Sequence, residues 1–497
     1  MFPAGVHHSL PLYDVAATRE IERRALDALP PHTLMRRAGL AVARLALAIA
    51  PHAQTFWIAC GAGNNGGDGM EAATHLRAWG KDVVLTLLPH TRPLPADAQA
   101  ALEHARSCGL AFAAAPPADF DVAIDGLLGI GARAIEPESA LAPCIYALYG
   151  GHRPVLAIDV PSGLDANTGS CTAVCVRATH TLSLLTLKPG LFTGQGRDHA
   201  GQVWFDDLGV QAAHAEGISP CAQLAVPMPQ SPRQHASHKG SFGDVLVIGG
   251  AAGMTGAAWL AATAALYNGA GRVIVGLLDP HATPASAPLP DLMVRPIDAL
   301  MDMATDTAGQ SATQRCIVCG CGGGEAIAAL LERLLCTSTP LVLDADALRA
   351  LAVSSTLQDA VRHRTQCGAH TVLTPHPREA ALLLATTTAA VQSDRIACAN
   401  ALAQRLRCTV VLKGSGTLVA HPGHTPALLA VGNPRLAIAG TGDVLAGMIG
   451  ARLAGSLAPY DAAIQAVHHH GTTADRWPAD RPLTASALAC TAPCATS

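Results

Sequence analysis

The run "CGAGNNGGDGMEAA", Cys60–Ala73, follows the apolar stretch "TFWIAC" and continues into "MEAATHLRAWG". It holds five glycines, two asparagines and one aspartate. A short apolar run that stops at a glycine cluster and resumes as a helical pattern reads as strand, turn and helix. Glycines let backbone N–H groups face a ligand, and a helix N-terminus favours an anion. Gly61, Gly63 and Gly66 satisfy G-x-G-x-x-G, yet the next strand, "KDVVLTLL", runs into "PHTRP" with no acid to hold a ribose hydroxyl. The phosphate loop of nucleotide hydrolases needs a lysine that is also missing. What remains is a concave turn in which Asn64 and Asn65 offer amides. Asp68 adds a charge suited to a hydroxyl or a cation. The plain alternative, a tight turn with an aspartate cap, needs far fewer special residues than "NNGGDG".

Outward from this loop, strands and helices alternate. "FDVAIDGLLG" and "RPVLAIDVPSG" follow as strands, and "ATHTLSLLTLKPG" and "GQVWFDDLGV" close the series. Short apolar strands separated by helices imply a parallel sheet covered on both faces. Residues 211–240, rich in Pro, Ser, Gln and His, break the pattern. A second series starts at "DVLVIGG" and ends in the long helix opened by "GTGDVLAGMIGARLAG". The expected fold is α/β, with two doubly wound domains: an N-terminal Rossmann-like three-layer domain over 1–215 and a second doubly wound domain over 237–497. The linker is placed at 216–236, and a loose tail begins at about residue 476.

A chain of 497 residues is too long for one ordinary core, and 50% hydrophobic against 14% charged residues is enough to bury two. A net charge of −4 gives no basic field for nucleic acid, and 3% aromatic residues provide no stacking platform. The start shows no signal peptide, and "GLAVARLALAIA" is too short to span a bilayer and carries Arg44. The expectation is a cytoplasmic protein with neither nucleic-acid nor membrane partners. Fifteen cysteines, an odd and scattered set, argue against a disulfide scaffold. "CIVCGC" (Cys316, Cys319, Cys321) reads as a buried strand entering a turn rather than half a zinc site. Cys171 and Cys175 read likewise as small apolar side chains. His468–His470 point in different directions on a helix and read as packing.

Two more strand ends in the first half are polar. "AIDGLLGIGA" places Asp125 before Gly129 and Gly131, and "AIDVPSGLDA" places Asp159 before Ser162. The carboxyl ends of neighbouring parallel strands converge on one crevice, so these ends suggest one site. "GAGNNGGDG", "DGLLGIGA", "DVPSGLDANTG" and "TLKPGLFTGQGRDHAG" resemble the epimerase half of the NAD(P)H-hydrate repair enzymes. The resemblance implies that Asn64, Asn65, Gly66, Gly67 and Asp68 hold the hydrated nicotinamide nucleotide. Gly129, Ile130, Gly131, Ala132, Arg133, Ala134 and Ile135 would hold it from the second loop, although the family usually has threonine where Ile130 stands. It implies potassium on Asn65, Asp125 and Ser162, and substrate contact by Asp159. Inversion at C6 of the hydrated ring needs a carboxylate that moves a proton on or off the hydroxyl, and Asp159 is the candidate, against a turn-capping role.

In the second half, "AGTGDVLAG" is the most informative stretch. Gly440 and Gly442 free backbone amides, and the following helix adds its positive end, which suits a phosphoryl group in flight. Asp443 at its edge could take a proton from a hydroxyl, or orient it, or merely cap the helix. The block resembles the ribokinase-like fold. "HKGSFGDVLVIGG", "LDADAL", "TPHPREAALL" and "VVLKGSGT" resemble the ADP-dependent dehydratase half of the same repair enzymes. That resemblance implies that Ala257, a glycine of "GCGGG" (Gly322 or Gly324), His376 and Asp443 contact the hydrated nucleotide. It places the adenine nucleotide on Lys413, Gly414, Ser415, Gly416, Thr417 and Gly442, with Mg2+ and ADP. Asp344 or Asp346 could hold the Mg2+, or form an ordinary turn. Where the family shows G-P-G-x-G this chain has Cys321 in place of the proline, and the turn is expected to survive. The implied activity is epimerisation of the R and S C6 hydrates of NADH and NADPH, and ADP-dependent dehydration of the S hydrate with release of AMP and phosphate. A homo-oligomer is implied as well. The alternative is a ribokinase-type vitamin-precursor kinase fused to a non-catalytic nucleotide-binding module.

Overall fold

The computed structural model describes all residues except 6–7, 132–134, 140, 149–152, 172, 211, 229–232, 283–286, 306–313 and 494–497. The chain divides into two compact units, Met1–Leu224 and Ala225–Ser497.

Unit 1 holds strands β1 (Phe2–Pro3), β2 (Leu10–Leu12), β3 (Thr55–Cys60), β4 (Asp82–Leu87), β5 (Ala111–Ala113), β6 (Val122–Gly126), β7 (Val155–Ile158), β8 (His180–Leu184), β9 (Gln202–Asp206) and β10 (Ala222–Leu224). Eight form a sheet ordered β1-β9-β8-β7-β6-β3-β4-β5. All neighbours are parallel except β1 with β9. β3, β6 and β7 are buried almost throughout, as strands covered on both faces must be. From β3 the chain winds one way through β4 and β5, then returns to β6 and winds the other way. The β3/β6 boundary is therefore the switch point, where crevices open at the carboxyl ends of strands. Gly61 and Gly66 make this boundary possible. A Cβ on Gly61 would sit 1.8 Å from the Leu127 carbonyl oxygen, and one on Gly66 would sit 2.0 Å from that of Gly61. The glycine-rich loop then opens the helix Asn64–Ala78.

Unit 2 holds β11 (Asp244–Gly249), β12 (Arg272–Leu277), β13 (Met293–Val294), β14 (Arg315–Cys319), β15 (Leu341–Leu343), β16 (Thr371–Leu373), β17 (Thr409–Leu412), β18 (Thr417–Ala420) and β19 (Ala427–Leu429). Their order is β13-β12-β11-β14-β15-β16-β17-β18-β19. It is parallel from β13 to β17, and β18 and β19 add antiparallel hairpins. The switch point lies at β11/β14. The alanine-rich helices Thr255–Tyr267 and Thr441–Ala454 pack on the sheet, and most of their residues are buried.

Three sequence expectations change. The stretch taken as linker contains β10, which pairs antiparallel with β2, and at three residues it is too short to show as a periodic pattern. The tail taken as loose carries the helix Ala485–Ala489, capped by Thr484, with Leu488 and Ala489 fully buried. Its small residues hid an apolar face. Cys171 and Cys175 are joined as a disulfide, not separate apolar side chains. Cys316, Cys319 and Cys321 are buried and free, as read. No helix among the described residues is long and apolar enough to cross a membrane.

Truncating Leu488 to alanine leaves a cavity in a closed core, so L488A is expected to cost about 2–5 kcal/mol. Urea unfolding of the full chain, followed by a probe in unit 2, checks this. An unchanged midpoint would mean that the tail is not docked.

Candidate active sites

In unit 1 a cavity of about 550 Å³ opens at the β3/β6 switch point. Asn64, Asn65 and Asp68 line it from the first loop, Gly129, Ile130 and Gly131 from the second, and Asp159 from the end of β7. Ile135 is buried beside the second loop and is not among the lining residues. Gly66 and Gly67, also buried, form the loop rather than its surface. Ala132, Arg133 and Ala134 lie outside the described residues.

Asp125 is fully buried. Its Oδ1 accepts from Ser162 Oγ at 2.7 Å and from Leu127 N at 3.2 Å, and its Oδ2 accepts from Ser162 N at 2.8 Å. Burial pushes its carboxyl up to about 6, and the bonds from Ser162 and Leu127 pull the other way. Asn65 Nδ2 donates to the Leu128 carbonyl at 2.8 Å, which leaves Asn65 Oδ1 as a neighbouring oxygen donor. The structure thus brings Asn65, Asp125 and Ser162 together. Their oxygens suit a hard cation, and no side-chain cation neutralises Asp125 among the described residues.

Asp159 has φ 66°, a left-handed backbone that few non-glycine residues adopt and that costs about 1–3 kcal/mol. That geometry turns its carboxylate back over the sheet. There Oδ1 accepts from Leu184 N at 3.1 Å and from Lys188 Nζ. The Lys188 side chain is 1% exposed, and its Nζ also donates to the Leu184 carbonyl at 2.6 Å. Sequence reasoning missed Lys188. It sits in the quoted "TLKPG", but nothing local distinguishes a buried lysine from a surface one. It also missed Glu22 and Asp97, which come to the pocket from helices distant in sequence. Burial raises the Asp68 carboxyl well above the ordinary range, and the charges of Asp159, Glu22 and Asp97 raise it further. Burial and Asp159 raise Glu22 in the same way. One pocket therefore holds a lysine-paired aspartate and two carboxyls whose titration burial and neighbouring acids shift upward.

In unit 2 the polar strand ends again converge. Lys413, at the end of β17, places Nζ 2.8 Å from Asp344 Oδ1, at the end of β15, and Thr374 Oγ1 donates to the same oxygen at 2.8 Å. Burial alone would lower the Lys413 ammonium, but Asp344, Glu379 and Asp443 outweigh it and raise it. A Cβ on Gly442 would lie 3.1 Å from Lys413 Nζ and 3.7 Å from Asp344 Oδ2. Asp443 stands in the first turn of the Thr441–Ala454 helix, opened by Gly440 at φ 92°. Ligand atoms of Asp443, Asp344 and Cys321 all lie within 4.8 Å of one another. Burial pushes the Asp443 carboxyl up to about 6, and Asp344 adds to the rise; contact with Cys321 and the charge of Lys413 oppose it. The helix terminus alone would have weakened Asp443 as a base, but burial here outweighs the helix end.

Gly320, Gly322 and Gly324 all have positive φ, so the turn keeps its left-handed positions with Cys321 where the family motif has proline. A Cβ on Gly322 would meet that of Ala257 at 3.0 Å, so those two residues adjoin. Gly324 N donates at 2.9 Å to Asp346 Oδ2, which commits Asp346 to the turn. Asp344 is the acid that faces Asp443. His376 caps the Pro377–Leu384 helix, with Nδ1 accepting from Arg378 N and Glu379 N, and Glu379 Oε2 accepts from His376 N at 2.9 Å. Burial pushes Glu379 up to about 7 and lowers His376. Glu379 was overlooked in the sequence, although its place three residues after a capping residue is a readable box.

The loop from Lys413 to Thr417 is held from behind by Arg395, 1% exposed. Arg395 Nη2 donates to the carbonyls of Leu412, Lys413 and Gly416 at 3.3, 3.2 and 3.3 Å. Ser415 and Thr417 flank Gly416 on the hairpin. His468–His470 stay outside this cluster as packing residues: His470 Nε2 bonds the Thr441 carbonyl at 3.0 Å.

Two doubly wound units, each gathering acids, a lysine and glycine turns at its strand tips, define an α/β enzyme with two separate sites. A profile of the NAD(P)H-hydrate dehydratase family matches residues 245–494, and one of the YjeF-related protein N-terminus matches residues 31–190. The bifunctional NAD(P)H-hydrate repair enzyme of Escherichia coli (strain K12) is 36% identical over 479 residues, covering 95% of this chain and 90% of that protein. That of Coxiella burnetii is 35% identical and covers 94% of each. The crystal structure of the ADP/ATP-dependent NAD(P)H-hydrate dehydratase from Bacillus subtilis, co-crystallized with ATP/Mg2+, is 28% identical over 53% of this chain and 91% of that one, at a TM-score of 0.41. The chain belongs to the family of bifunctional NAD(P)H-hydrate repair enzymes. The resemblance drawn from its motifs, the two-domain α/β fold and the enzyme class are borne out.

Replacing Arg395 with methionine removes the bonds that hold the 413–417 loop. Amide hydrogen exchange over that segment should quicken by about tenfold or more, a loss of about 1.4 kcal/mol of local protection. Unit 1 should be unaffected. Unchanged protection of residues 413–417 would show that Arg395 does not brace the loop.

Proposed function

We propose that unit 1 interconverts the R and S C6 hydrates of NADH and NADPH, and that unit 2 uses ADP to return the S hydrate to NAD(P)H, with AMP and phosphate released. The observation that carries this is the pairing, in one chain, of two acid clusters at the carboxyl ends of parallel strands, at the β3/β6 switch point in unit 1 and at the ends of β15, β16 and β17 in unit 2. Each lies where a nucleotide's phosphates would meet a glycine turn and a helix N-terminus.

In unit 1 the hydrated ring enters the cavity between the Asn64–Asp68 loop and the Gly129–Gly131 turn. Asp159, oriented by Lys188, takes the proton of the C6 hydroxyl as the C6–N1 bond opens to an aldehyde, and Asp68 protonates the freed ring nitrogen. Reclosure of that nitrogen on the other face of the aldehyde, with both protons returned, inverts C6. A carboxyl whose titration burial raises, beside one that a buried lysine orients, places an acid and a base in one pocket. Asn65, Asp125 and Ser162 would hold potassium, which supplies the positive charge that the buried Asp125 carboxylate lacks.

In unit 2, Asp443 takes the proton of the C6 hydroxyl while that oxygen attacks the terminal phosphorus of ADP. Lys413 and the amides at Gly440–Gly442 meet the phosphoryl charge. Phosphate, a far better leaving group than hydroxide, then departs from C6 as the ring nitrogen's electron pair forms an iminium, and loss of a proton from C5 restores the C5–C6 double bond. Mg2+ would accompany the nucleotide and offset its charge, with Asp344 the acid that would hold it. Ala257, Gly322, Gly324 and His376 line the hydrate's side, and Lys413–Thr417 the adenine nucleotide's side. A homo-oligomeric, cytoplasmic enzyme completes the reading.

Separated epimers, with and without ADP, test the division of labour through the return of NADH absorbance. D443A should abolish ADP-driven repair and leave epimer exchange intact. D159A should slow exchange by about 10²–10⁴-fold and leave repair of the S hydrate intact. Loss of both activities in both variants would contradict the assignment, and so would a stable phosphorylated product in the 31P spectrum.

Asp443 must be ionised to act as a base, and its carboxyl lies at about 6. The ADP-driven rate should therefore hold above that pH and fall about tenfold per unit below it. A rate flat down to pH 4.5 would remove Asp443 as the base.

A further inference from the structure

Unit 1 carries a second constellation that the epimerase reading leaves unused. Cys171 and Cys175 stand in C-x3-C spacing, and His199 ends the short helix Gly196–His199. Both sulfurs and a ring nitrogen of His199 lie within 4.8 Å of one another. His199 is 8% exposed and Cys175 is 3% exposed, while Cys171 is half-exposed and gives access from solvent. The Nδ1 of His199 lies 2.9 Å from the Val176 carbonyl oxygen. A carbonyl can only accept, so Nδ1 carries a proton, and in the neutral ring Nε2 holds the lone pair. No hydrogen bond to Nε2 is made among the described residues. A ring nitrogen freed by a carbonyl bond at the other nitrogen is the usual second-shell arrangement of a metal-bound histidine.

We propose that the reduced form of this cluster is a zinc site, with Cys171 Sγ, Cys175 Sγ and His199 Nε2 as ligands and water in the fourth position. C-x3-C falls within the two-to-four-residue spacing of zinc-binding cysteine pairs. Two thiolates and an imidazole select a thiophilic divalent ion over potassium or magnesium, so this site is chemically distinct from the oxygen cluster around Asp125. In the structure the two sulfurs form a disulfide. A dithiol reductant supplies two electrons and two protons, converts the disulfide to two thiols and becomes a disulfide itself. Zinc then displaces the two thiol protons as it binds.

The segment is well placed to influence its surroundings. Val176 N donates to the Ser162 carbonyl at 2.9 Å, and Val174 N to the Ile135 carbonyl at 3.1 Å. A Cβ on Gly163 would lie 2.2 Å from the Val174 carbonyl oxygen. A metal across residues 171–175 therefore stiffens the backing of both the Ser162 turn and the second glycine loop.

The test is anaerobic titration of the full chain, reduced by a phosphine, with Co2+ alone. One equivalent should produce thiolate-to-cobalt charge-transfer absorption and tetrahedral d–d bands, and Zn2+ should bleach them. H199N should weaken Co2+ binding by about tenfold or more. C175S and the half-exposed C171S should both lose the charge-transfer band, with folding of each checked by circular dichroism. C321S should keep the band, which separates this site from the Cys321–Asp344–Asp443 cluster. If the reduced chain gives no thiolate–cobalt band, or a band that survives in both C171S and C175S, the cysteines serve as a disulfide only and the proposal is overturned.

Discussion

A carboxylate taken out of water at the end of a parallel strand must be answered by hydrogen bonds or by opposite charge. Both units are organised around that constraint. In unit 1 the Ser162 turn and Leu127 wrap Asp125, and the same contacts tie the end of β6 to the turn after β7. In unit 2, Lys413 and Thr374 answer Asp344 and draw together the ends of β15, β16 and β17. In each case the bonds that stabilise a buried acid also fix the distances between strand tips, so the site is a product of the folding solution.

The two answers differ in a way that matters for chemistry. Asp344 has a lysine, whereas Asp125 has only neutral donors among the described residues and stays pushed up to about 6. An oxygen-lined pocket with a carboxylate short of positive charge is one that gains by holding a cation. In unit 2 a single lysine faces Asp344, Glu379 and Asp443, so its charge is already shared among three acids. The fusion follows the same logic at the level of the reaction: a dehydratase that takes one C6 epimer is supplied with the other by its companion.

Much of this was legible in the sequence because it is local. A strand that ends in Gly and Asp announces a tip, and several tips in one parallel sheet announce a crevice. Asn65, Asp125, Ser162, Asp159, Lys413 and Asp443 could be singled out for that reason. What stayed hidden arises from contacts between residues far apart in the chain. Lys188 reads as any lysine until burial brings it onto Asp159, and Arg395 reads as any arginine at a helix start until its guanidinium is found behind the Lys413 loop. The strand Ala222–Leu224 and the helix Ala485–Ala489 are too short, or too poor in large apolar residues, for periodicity to show. The Cys171–Cys175 pairing could not be read from spacing because the chain has many other cysteines and no sign of a disulfide framework.

The central claim is that two separate strand-tip clefts each grip a pyridine nucleotide, with the adenine nucleotide of the second beside its lysine. Crystallographic difference density for the full chain, grown with NADP+ and α,β-methylene-ADP, tests it most directly. The account predicts a nicotinamide ring between the Asn64–Asp68 loop and Asp159, and a terminal phosphoryl group between Lys413 and the Gly440–Asp443 turn. Nicotinamide density away from the β3/β6 tips, or an adenine nucleotide remote from Lys413, would contradict it.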